Sequence, residues 1–148
     1  MDCLGFYPEY YRGKRVFVTG HTGFKGAWLC RILKNAGAIV TGYAQEPPTD
    51  PNLFGLAATE SGMRSVIGDI RDFDRLSAAF EQCDPEIVLH LAAQPIVRES
   101  YRTPRETYET NVMGTVNLLE CVRKSPGCCS LSRKVSPTVP WKSYRGKL

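Results

Sequence analysis

The sequence has few of the residues that build metal centres and no segment long enough to cross a membrane. Its six cysteines form no CxxC pair and only two histidines are present, so a zinc site is not expected. No run of about 18 apolar residues occurs, and residues 1–11 lack the apolar core of a secretory leader. The sequence therefore predicts no metal, no membrane partner and a cytoplasmic location in which the cysteines stay reduced.

Acidic residues are missing from the last part of the chain. All 15 Asp and Glu and 14 of the 19 Lys and Arg lie in residues 1–124, whereas residues 125–148 carry bases and no acid. The net charge of +4 is therefore a property of the tail. The near-neutral remainder predicts no nucleic-acid partner.

Strand and helix patterns alternate through the rest of the sequence. Strands are predicted at 15–19, 38–43, 64–70 and 86–93, and helices at 24–35, 53–59, 72–82 and 104–124. The last strand is nearly all apolar, which is typical of a strand covered on both faces. The alternation predicts an α/β fold with a Rossmann-type doubly wound parallel sheet, truncated after about four strands.

Two details of these helices are also predicted. Gly37 stands where a glycine commonly ends a helix, just after the helix at 24–35. In the helix at 104–124, four apolar side chains recur at helical spacing and are expected to form its buried stripe: Val112, Val116, Leu119 and Val122.

Three glycines at three-residue intervals follow the first strand and open the first helix. Gly20 would permit a tight turn, Gly23 a close approach of the backbone to a pyrophosphate, and Gly26 close packing of the helix on the strand. The free N–H groups at the helix start would then face two phosphates. A tight turn without a ligand is the alternative. An ATPase phosphate loop is excluded, because Lys25 is not followed by Ser or Thr.

These glycines and three later stretches resemble the extended short-chain dehydrogenase/reductase family. The stretches are Gly68-Asp69-Ile70, residues 90–94 and residues 110–120. The resemblance implies that the Asp69 carboxylate and the next backbone amide hold adenine, and that small residues after the fourth strand lie beside the dinucleotide. The cofactor-binding residues it implies are Gly20, Thr22, Gly23, Phe24, Lys25, Gly26, Asp69, Ile70, Leu91, Ala92, Ala93 and Gln94.

Within this family, four stretches look like the CDP-glucose 4,6-dehydratases: residues 23–29, 41–49, 65–72 and 93–98. Lys25 stands where most family members have an aliphatic residue, and either contacts a phosphate or is solvated. The resemblance implies a nucleotide-sugar substrate and a homodimer built through a helix-bundle contact. Four side chains are candidates to line the sugar cleft: Gln94, Arg98, Ser100 and Tyr101. For Ser100 and Arg102, a polar loop and helix entry is the preferred interpretation.

NAD is the expected cofactor rather than NADP. An NADP site presents Arg or Lys to the 2′-phosphate near the end of the second strand, and no Lys or Arg occurs between Lys34 and Arg64. Glu46 lies 20 positions after Gly26, a distance at which an NAD site often has an acid. It lies beyond the strand tip, however, so the missing cation is the stronger argument.

The catalytic segment that the resemblance implies is absent. In such dehydratases a Tyr, with a Lys four residues later, acts as the base after the next strand. Here the only such pair is Tyr10 and Lys14, before the first strand, and we interpret it as coincidence. No catalytic residue is therefore predicted. Residues 1–124 are expected to form an NAD-binding half-domain. Residues 125–148 are expected to be an unrelated, disordered tail from a shifted reading frame or a fusion, which translation of the other frames would test.

Three functions follow from these observations. The first is the NAD-binding portion of a CDP-glucose 4,6-dehydratase-like enzyme, inactive as this chain. The second is the corresponding part of a GDP-mannose 4,6-dehydratase or of an NDP-sugar epimerase. The third is a non-catalytic nucleotide-binding module.

Overall fold

A computed structural model of the protein describes residues 8–57, 59–125 and 130–133. Strands and helices alternate along it in the order α1 (Pro8–Tyr11), β1 (Arg15–Thr19), α2 (Phe24–Asn35), β2 (Ile39–Ala44), α3 (Leu53–Leu56), β3 (Arg64–Ile67), α4 (Phe73–Cys83), β4 (Ile87–His90), α5 (Val97–Arg102), α6 (Pro104–Tyr108), a π-helical turn (Glu109–Met113), α7 (Gly114–Lys124) and β5 (Ser130–Arg133). None of the described helices is long and apolar enough to cross a membrane.

The strands form one parallel sheet in the order β3-β2-β1-β4-β5. In the central register, Val16 of β1 lies opposite Val40 of β2 on one side and Ile87 of β4 on the other. The parallel sheet with helices on both faces confirms the predicted Rossmann-type fold. The helix at 24–35 has the predicted bounds, and Gly37 follows it with φ +79°.

A strand from the tail pairs with β4, contrary to the expectation that the sheet ends there. Ser130–Arg133 lies parallel to β4, with Ile87 opposite Ser130 and His90 opposite Arg133. A short edge strand needs backbone groups to pair with and no apolar run of its own, so the composition of residues 125–148 is a poor guide to it. The remaining predictions for the tail concern residues 126–129 and 134–148, which lie outside the described residues.

The core is divided by the sheet, as a doubly wound fold requires. Phe17 points to the face covered by α4 and α7, where it packs with Tyr43, Phe80 and Leu118. Val16 and Val18 point to the other face, which α2 covers with Cys30 and Leu33. Successive residues of β1 therefore serve opposite layers.

Two predicted strands end earlier than the sequence indicated. Ala44 pairs with Ile67 at the last position of β2, and Thr19 pairs with His90 at the last position of β1. Beyond single bonds from the Gly68 and Leu91 amides to the Ala44 and Thr19 carbonyls, residues 68–70 and 91–93 have no neighbouring strand to pair with. They become loops at the carboxyl edge of the sheet, although residues 91–93 are as apolar as those of β4.

The helix predicted at 104–124 is interrupted, and the prediction of its buried residues was wrong. Residues Glu109–Met113 form a π-helical turn, so the chain runs through α6, this turn and α7. The buried face of α7 consists of Gly114, Leu118 and Cys121. Three of the predicted residues, Val112, Val116 and Leu119, are exposed, and only Val122 packs at the edge of the core.

The helix has two apolar stripes, and periodicity alone does not show which of them faces the sheet. The homodimer expected from the family resemblance stays a prediction. The exposed stripe is nevertheless available for such a contact.

The corrected stripe gives a stability prediction. Leu118 is 1% exposed in the core between α7 and the sheet, whereas Leu56 on α3 is 76% exposed. We expect Leu118→Ala to lower the free energy of unfolding by about 3 kcal/mol, because it leaves a cavity. Leu56→Ala should change it by less than about 0.5 kcal/mol. Urea unfolding followed by circular dichroism measures both, and similar losses in the two variants would contradict this assignment of the buried face.

Candidate cofactor-binding site at the carboxyl edge of the sheet

Three segments meet at one edge of the sheet. β1 ends at Thr19, β3 at Ile67 and β4 at His90, and in a parallel sheet these carboxyl ends share an edge. β2 and β3 lie on one side of β1, and β4 and β5 on the other. The strand order therefore reverses between β1 and β4, which is where open α/β sheets leave a crevice for ligands.

The three glycines of the first turn differ in what surrounds them. Gly20 has φ +76°, and a Cβ there would lie 2.8 Å from both the Leu91 carbonyl carbon and the Ala92 amide nitrogen. A Cβ on Gly26 would collide with the Gly20 carbonyl oxygen. A Cβ on Gly23 would meet only that oxygen, at 3.4 Å, an ordinary contact. Gly20 and Gly26 are thus required by protein packing, whereas the space beside Gly23 is open.

The start of α2 is suited to an anion. Its N-cap is Gly23, which offers no side-chain acceptor to the first-turn N–H groups. No acidic residue lies in this turn, and Lys25 is exposed there. Unpaired N–H groups, the helix dipole and a nearby ammonium group all favour negative charge, so these residues fit the diphosphate of a dinucleotide. Thr22 is buried, and its hydroxyl donates to the Gln45 carbonyl at 2.9 Å, which ties the turn to the end of β2.

His21 is a residue of this turn that the sequence analysis did not identify. Its imidazole is fully buried beneath the turn, with Nε2 2.8 Å from Ser65 Oγ and the Phe54 ring at 5.2 Å. Gly42 of β2 makes room for the ring, since a Cβ there would collide with it. Burial lowers the pKa of His21 to about 4, so the imidazole is neutral near pH 7. A glycine inside a predicted strand was the only sequence signal for this packing.

The loop after β3 carries Asp69, whose carboxylate is held by two side chains. Arg71 donates to it from Nε at 3.0 Å and from Nη2 at 2.6 Å, and Gln45 donates from Nε2 at 2.7 Å. The Arg71 guanidinium holds the pKa of Asp69 below its usual value, so the carboxylate is ionised and accepts hydrogen bonds only. Ile70 follows it with its side chain buried against Gly114 of α7.

The segment after β4 is fixed to the end of β1 by buried polar groups. The Thr19 hydroxyl accepts from the amides of Leu91 and Ala92 at 3.2 and 3.3 Å, and lies 2.6 Å from His90 Nδ1. His90 Nε2 lies 3.2 Å from the Thr115 hydroxyl, which itself donates to the Asn111 carbonyl. This pattern assigns the proton to Nε2, with Nδ1 accepting from Thr19.

Gln94 lies against the π-helical turn, and Asn111 holds it there. The Gln94 amide donates to Asn111 Oδ1 at 2.8 Å, and Asn111 Nδ2 donates back to the Gln94 carbonyl at 3.0 Å. The Gln94 side chain donates to Thr107 and accepts from the Ile96 amide. Asn111 was recognised only as part of a motif, and its part in this loop depends on the π-helical turn.

The structure places the remaining candidate residues at three locations. Arg98, Ser100 and Tyr101 lie on α5, a short helix that was not predicted, and Tyr101 is exposed. Glu46 is exposed beyond the end of β2, at the same edge as the glycines. Tyr10 and Lys14 precede β1 at the opposite edge, where Lys14 pairs with Glu86 at 2.8 Å. Within the described part of the chain, no group of His, Cys, Asp or Glu could hold a metal ion.

Known proteins of similar sequence include enzymes named for nucleotide sugars. The family model described as GDP-mannose 4,6 dehydratase matches residues 17–135. The CDP-glucose 4,6-dehydratase of Salmonella typhimurium is 58% identical over 116 residues, which cover 78% of this chain and 32% of that protein. UDP-glucuronate 4-epimerase 3 of Arabidopsis thaliana is 35% identical over 136 residues, covering 89% and 30% of the two chains.

Two solved structures of similar fold are described as epimerases. Epimerase Mth375 from Methanothermobacter thermautotrophicus has a TM-score of 0.76 and 27% identity, with 88% of this chain and 37% of that chain covered. A UDP-glucose-4-epimerase from Stenotrophomonas maltophila, with bound NAD and formylated UDP-arabinopyranose, has a TM-score of 0.74, 29% identity and coverages of 85% and 38%. The chain spans about a third of the length of the curated relatives it matches.

The buried imidazole under the glycine turn makes a pH prediction. In the unfolded chain His21 takes up a proton below its ordinary pKa of 6.5, whereas in the fold it does so only near pH 4. Its contribution to stability is therefore complete above pH 6.5 and is lost as the pH falls, by about 2 kcal/mol between pH 6.5 and pH 5. We expect urea unfolding to show this loss in the wild type and a smaller one in His21→Gln. Equal pH dependence in the two proteins would contradict the assignment.

Proposed function

Because the chain belongs to the GDP-mannose 4,6-dehydratase family, we propose that its described residues form the NAD-binding portion of a CDP-glucose 4,6-dehydratase-like enzyme. The observation that carries this proposal is the crevice between β1 and β4, where an uncapped helix start lies opposite the loop that follows β4. The identity to the Salmonella dehydratase supports CDP-glucose over other nucleotide sugars. The epimerases share the fold at lower identity, so shape alone does not choose between these activities.

Each of the three segments has a proposed part in holding NAD. The turn of Gly20, Thr22 and Gly23 and the helix start of Phe24, Lys25 and Gly26 would receive the diphosphate, with Lys25 as the nearby cation. Asp69 and the Ile70 amide would hold adenine. Leu91, Ala92, Ala93 and Gln94 would lie beside the nicotinamide half, and the Asn111 contacts would keep Gln94 in place.

Bound NAD would supply oxidation of the sugar C4 hydroxyl and return of the hydride to C6 after water is lost. Among the described residues at the carboxyl edge, no Tyr is followed four positions later by a Lys that could act with it as the base for that reaction. Its one Tyr-x-x-x-Lys pair, Tyr10 and Lys14, lies at the amino ends of the strands. This observation favours a second candidate function, a nucleotide-binding module without turnover.

Calorimetry on the purified 148-residue chain tests the cofactor proposal. We expect NAD⁺ to bind and NADP⁺ to bind at least about tenfold more weakly, because the 2′-phosphate would find no cation after β2 and would approach Glu46. With CDP-glucose and NAD⁺ added, no 4-keto-6-deoxy product should form. Tighter binding of NADP⁺ would overturn the choice of cofactor, and product formation would overturn the proposed inactivity.

Two glycine substitutions separate ligand binding from folding. Gly23 has φ −73° and open space beside it, so Gly23→Val should fold normally while its side chain blocks the diphosphate. We expect its NAD⁺ affinity to fall by at least about tenfold, because helix-start amides contribute only at hydrogen-bond distance. Gly26→Ala should instead lower the melting temperature, since its Cβ would meet the Gly20 carbonyl. A Gly23→Val variant that binds NAD⁺ like the wild type would contradict the proposed diphosphate site.

A further inference from the structure

The loop after β3 is held by a buried side chain from a different strand. Tyr43 of β2 is fully buried, yet its hydroxyl reaches this loop and donates to the Asp69 carbonyl at 2.9 Å. Gly68 makes this contact possible, because a Cβ there would lie 2.5 Å from the Tyr43 hydroxyl oxygen. Burial raises the pKa of Tyr43 to about 12, so the hydroxyl keeps the proton that it donates.

A second side chain holds the same loop from the helix layer. Asn117 of α7 donates from Nδ2 to the Ile70 carbonyl at 3.1 Å and to the Arg71 carbonyl at 3.2 Å. Asn117 is half-buried, and Gly114 in the preceding turn of α7 lets the helix pack against the Ile70 side chain. Tyr43 and Asn117 thus engage three successive carbonyl groups of the loop.

Each of these bonds also fixes a group on the other side of a peptide plane. The Asp69 carbonyl and the Ile70 N–H belong to one rigid peptide unit, so Tyr43 sets the direction of the Ile70 N–H. The Ile70 carbonyl and the Arg71 N–H belong to the next unit, and that N–H donates to Asp69 Oδ1 at 2.9 Å. Asn117 therefore orients the Asp69 carboxylate through the Arg71 amide.

The loop consequently presents two groups of defined character side by side. Asp69 offers an ionised acceptor, and the Ile70 N–H is a donor that bonds to no other described group. Adenine has the complementary edge, because its exocyclic amine donates and the adjacent ring nitrogen accepts. Hypoxanthine has an acceptor oxygen and a ring N–H at these positions, so both of its contacts would be mismatched.

We infer that Tyr43 and Asn117 are positioning residues that set the preference of this chain for adenine over hypoxanthine in its dinucleotide. The inference rests on the proposed function, since it concerns the adenine end of the same cofactor site. Neither side chain would contact the base. Each acts through a peptide unit of residues 69–71, so the expected effect is on base selectivity more than on the fold.

Calorimetry with NAD⁺ and with nicotinamide hypoxanthine dinucleotide tests this inference. The wild type should prefer NAD⁺ by at least about tenfold, because a mismatched donor or acceptor leaves a polar group unpaired. Tyr43→Phe removes one hydrogen bond to the loop and Asn117→Ala removes two, and each variant should weaken NAD⁺ binding by about three- to tenfold. Binding of the hypoxanthine analogue should change little, so the preference ratio should fall.

Matched controls remove the same groups elsewhere. Tyr10→Phe removes an exposed phenolic hydroxyl on α1, and Asn35→Ala an exposed amide at the end of α2. Both should keep the wild-type preference ratio. A variant that merely loosens the fold should weaken both dinucleotides equally, which leaves the ratio unchanged.

The outcomes distinguish this inference from the function on which it rests. A wild type that binds neither dinucleotide would overturn both. A wild type that binds the two dinucleotides equally would support the cofactor site but contradict the inference. An unchanged preference ratio in both Tyr43→Phe and Asn117→Ala would also contradict the inference. If circular dichroism shows that Tyr43→Phe is unfolded, Asn117→Ala decides the matter alone, because its side chain lies outside the core.

Discussion

The hydroxyl of Thr19 joins the carboxyl ends of β1 and β4, the two strands between which the crevice lies. It is fully buried, accepts from two successive amides of the segment after β4 and lies 2.6 Å from the His90 ring. A hydroxyl has one donor and two acceptor positions, and all of them are used here. Gly20 follows directly and packs against the Leu91–Ala92 peptide. The distance across the crevice between β1 and β4 is therefore set by buried groups rather than by mobile loops.

The amino edge of the sheet and the turn after β1 at its carboxyl edge are built from different kinds of interaction. At the amino edge, charged side chains pair: the Glu86 carboxylate accepts from Lys14 at 2.8 Å and from the Arg15 amide at 3.2 Å, and Arg15 binds the Asp84 carbonyl. At the carboxyl edge, the turn after β1 offers backbone amides and small residues. Exposed ion pairs contribute little to stability, whereas backbone amides left without partners form a site only where a ligand can reach them. This contrast is the reason for proposing the cofactor site at the carboxyl edge.

Local patterns predicted most of the fold because they are strong here. The glycines after β1, Gly37 after α2 and the run of β-branched residues in β1 each have a local cause, and the structure has these elements where they were expected. The prediction failed where the burial of a residue or the pairing of a strand depends on contact with another element of the fold. Leu118 and Leu119 are adjacent leucines on one helix, and only contact with the sheet decides which is buried. The strand at 130–133 exists because β4 offers its edge.

For the site, the sequence by itself determined which residues stand near the ends of the strands, since glycine spacing and strand length are local properties. It determined in the same way that no Lys or Arg lies between Lys34 and Arg64. It also determined that no Tyr within residues 91–124 is followed four positions later by a Lys. Only the tertiary structure decided the buried supports: His21 under the turn, Tyr43 and Asn117 behind the loop after β3, and Asn111 beside Gln94. These contacts join residues 17 to 47 positions apart in the chain, and hydrogen bonds at such separations depend on the packing of whole elements, which no local pattern encodes.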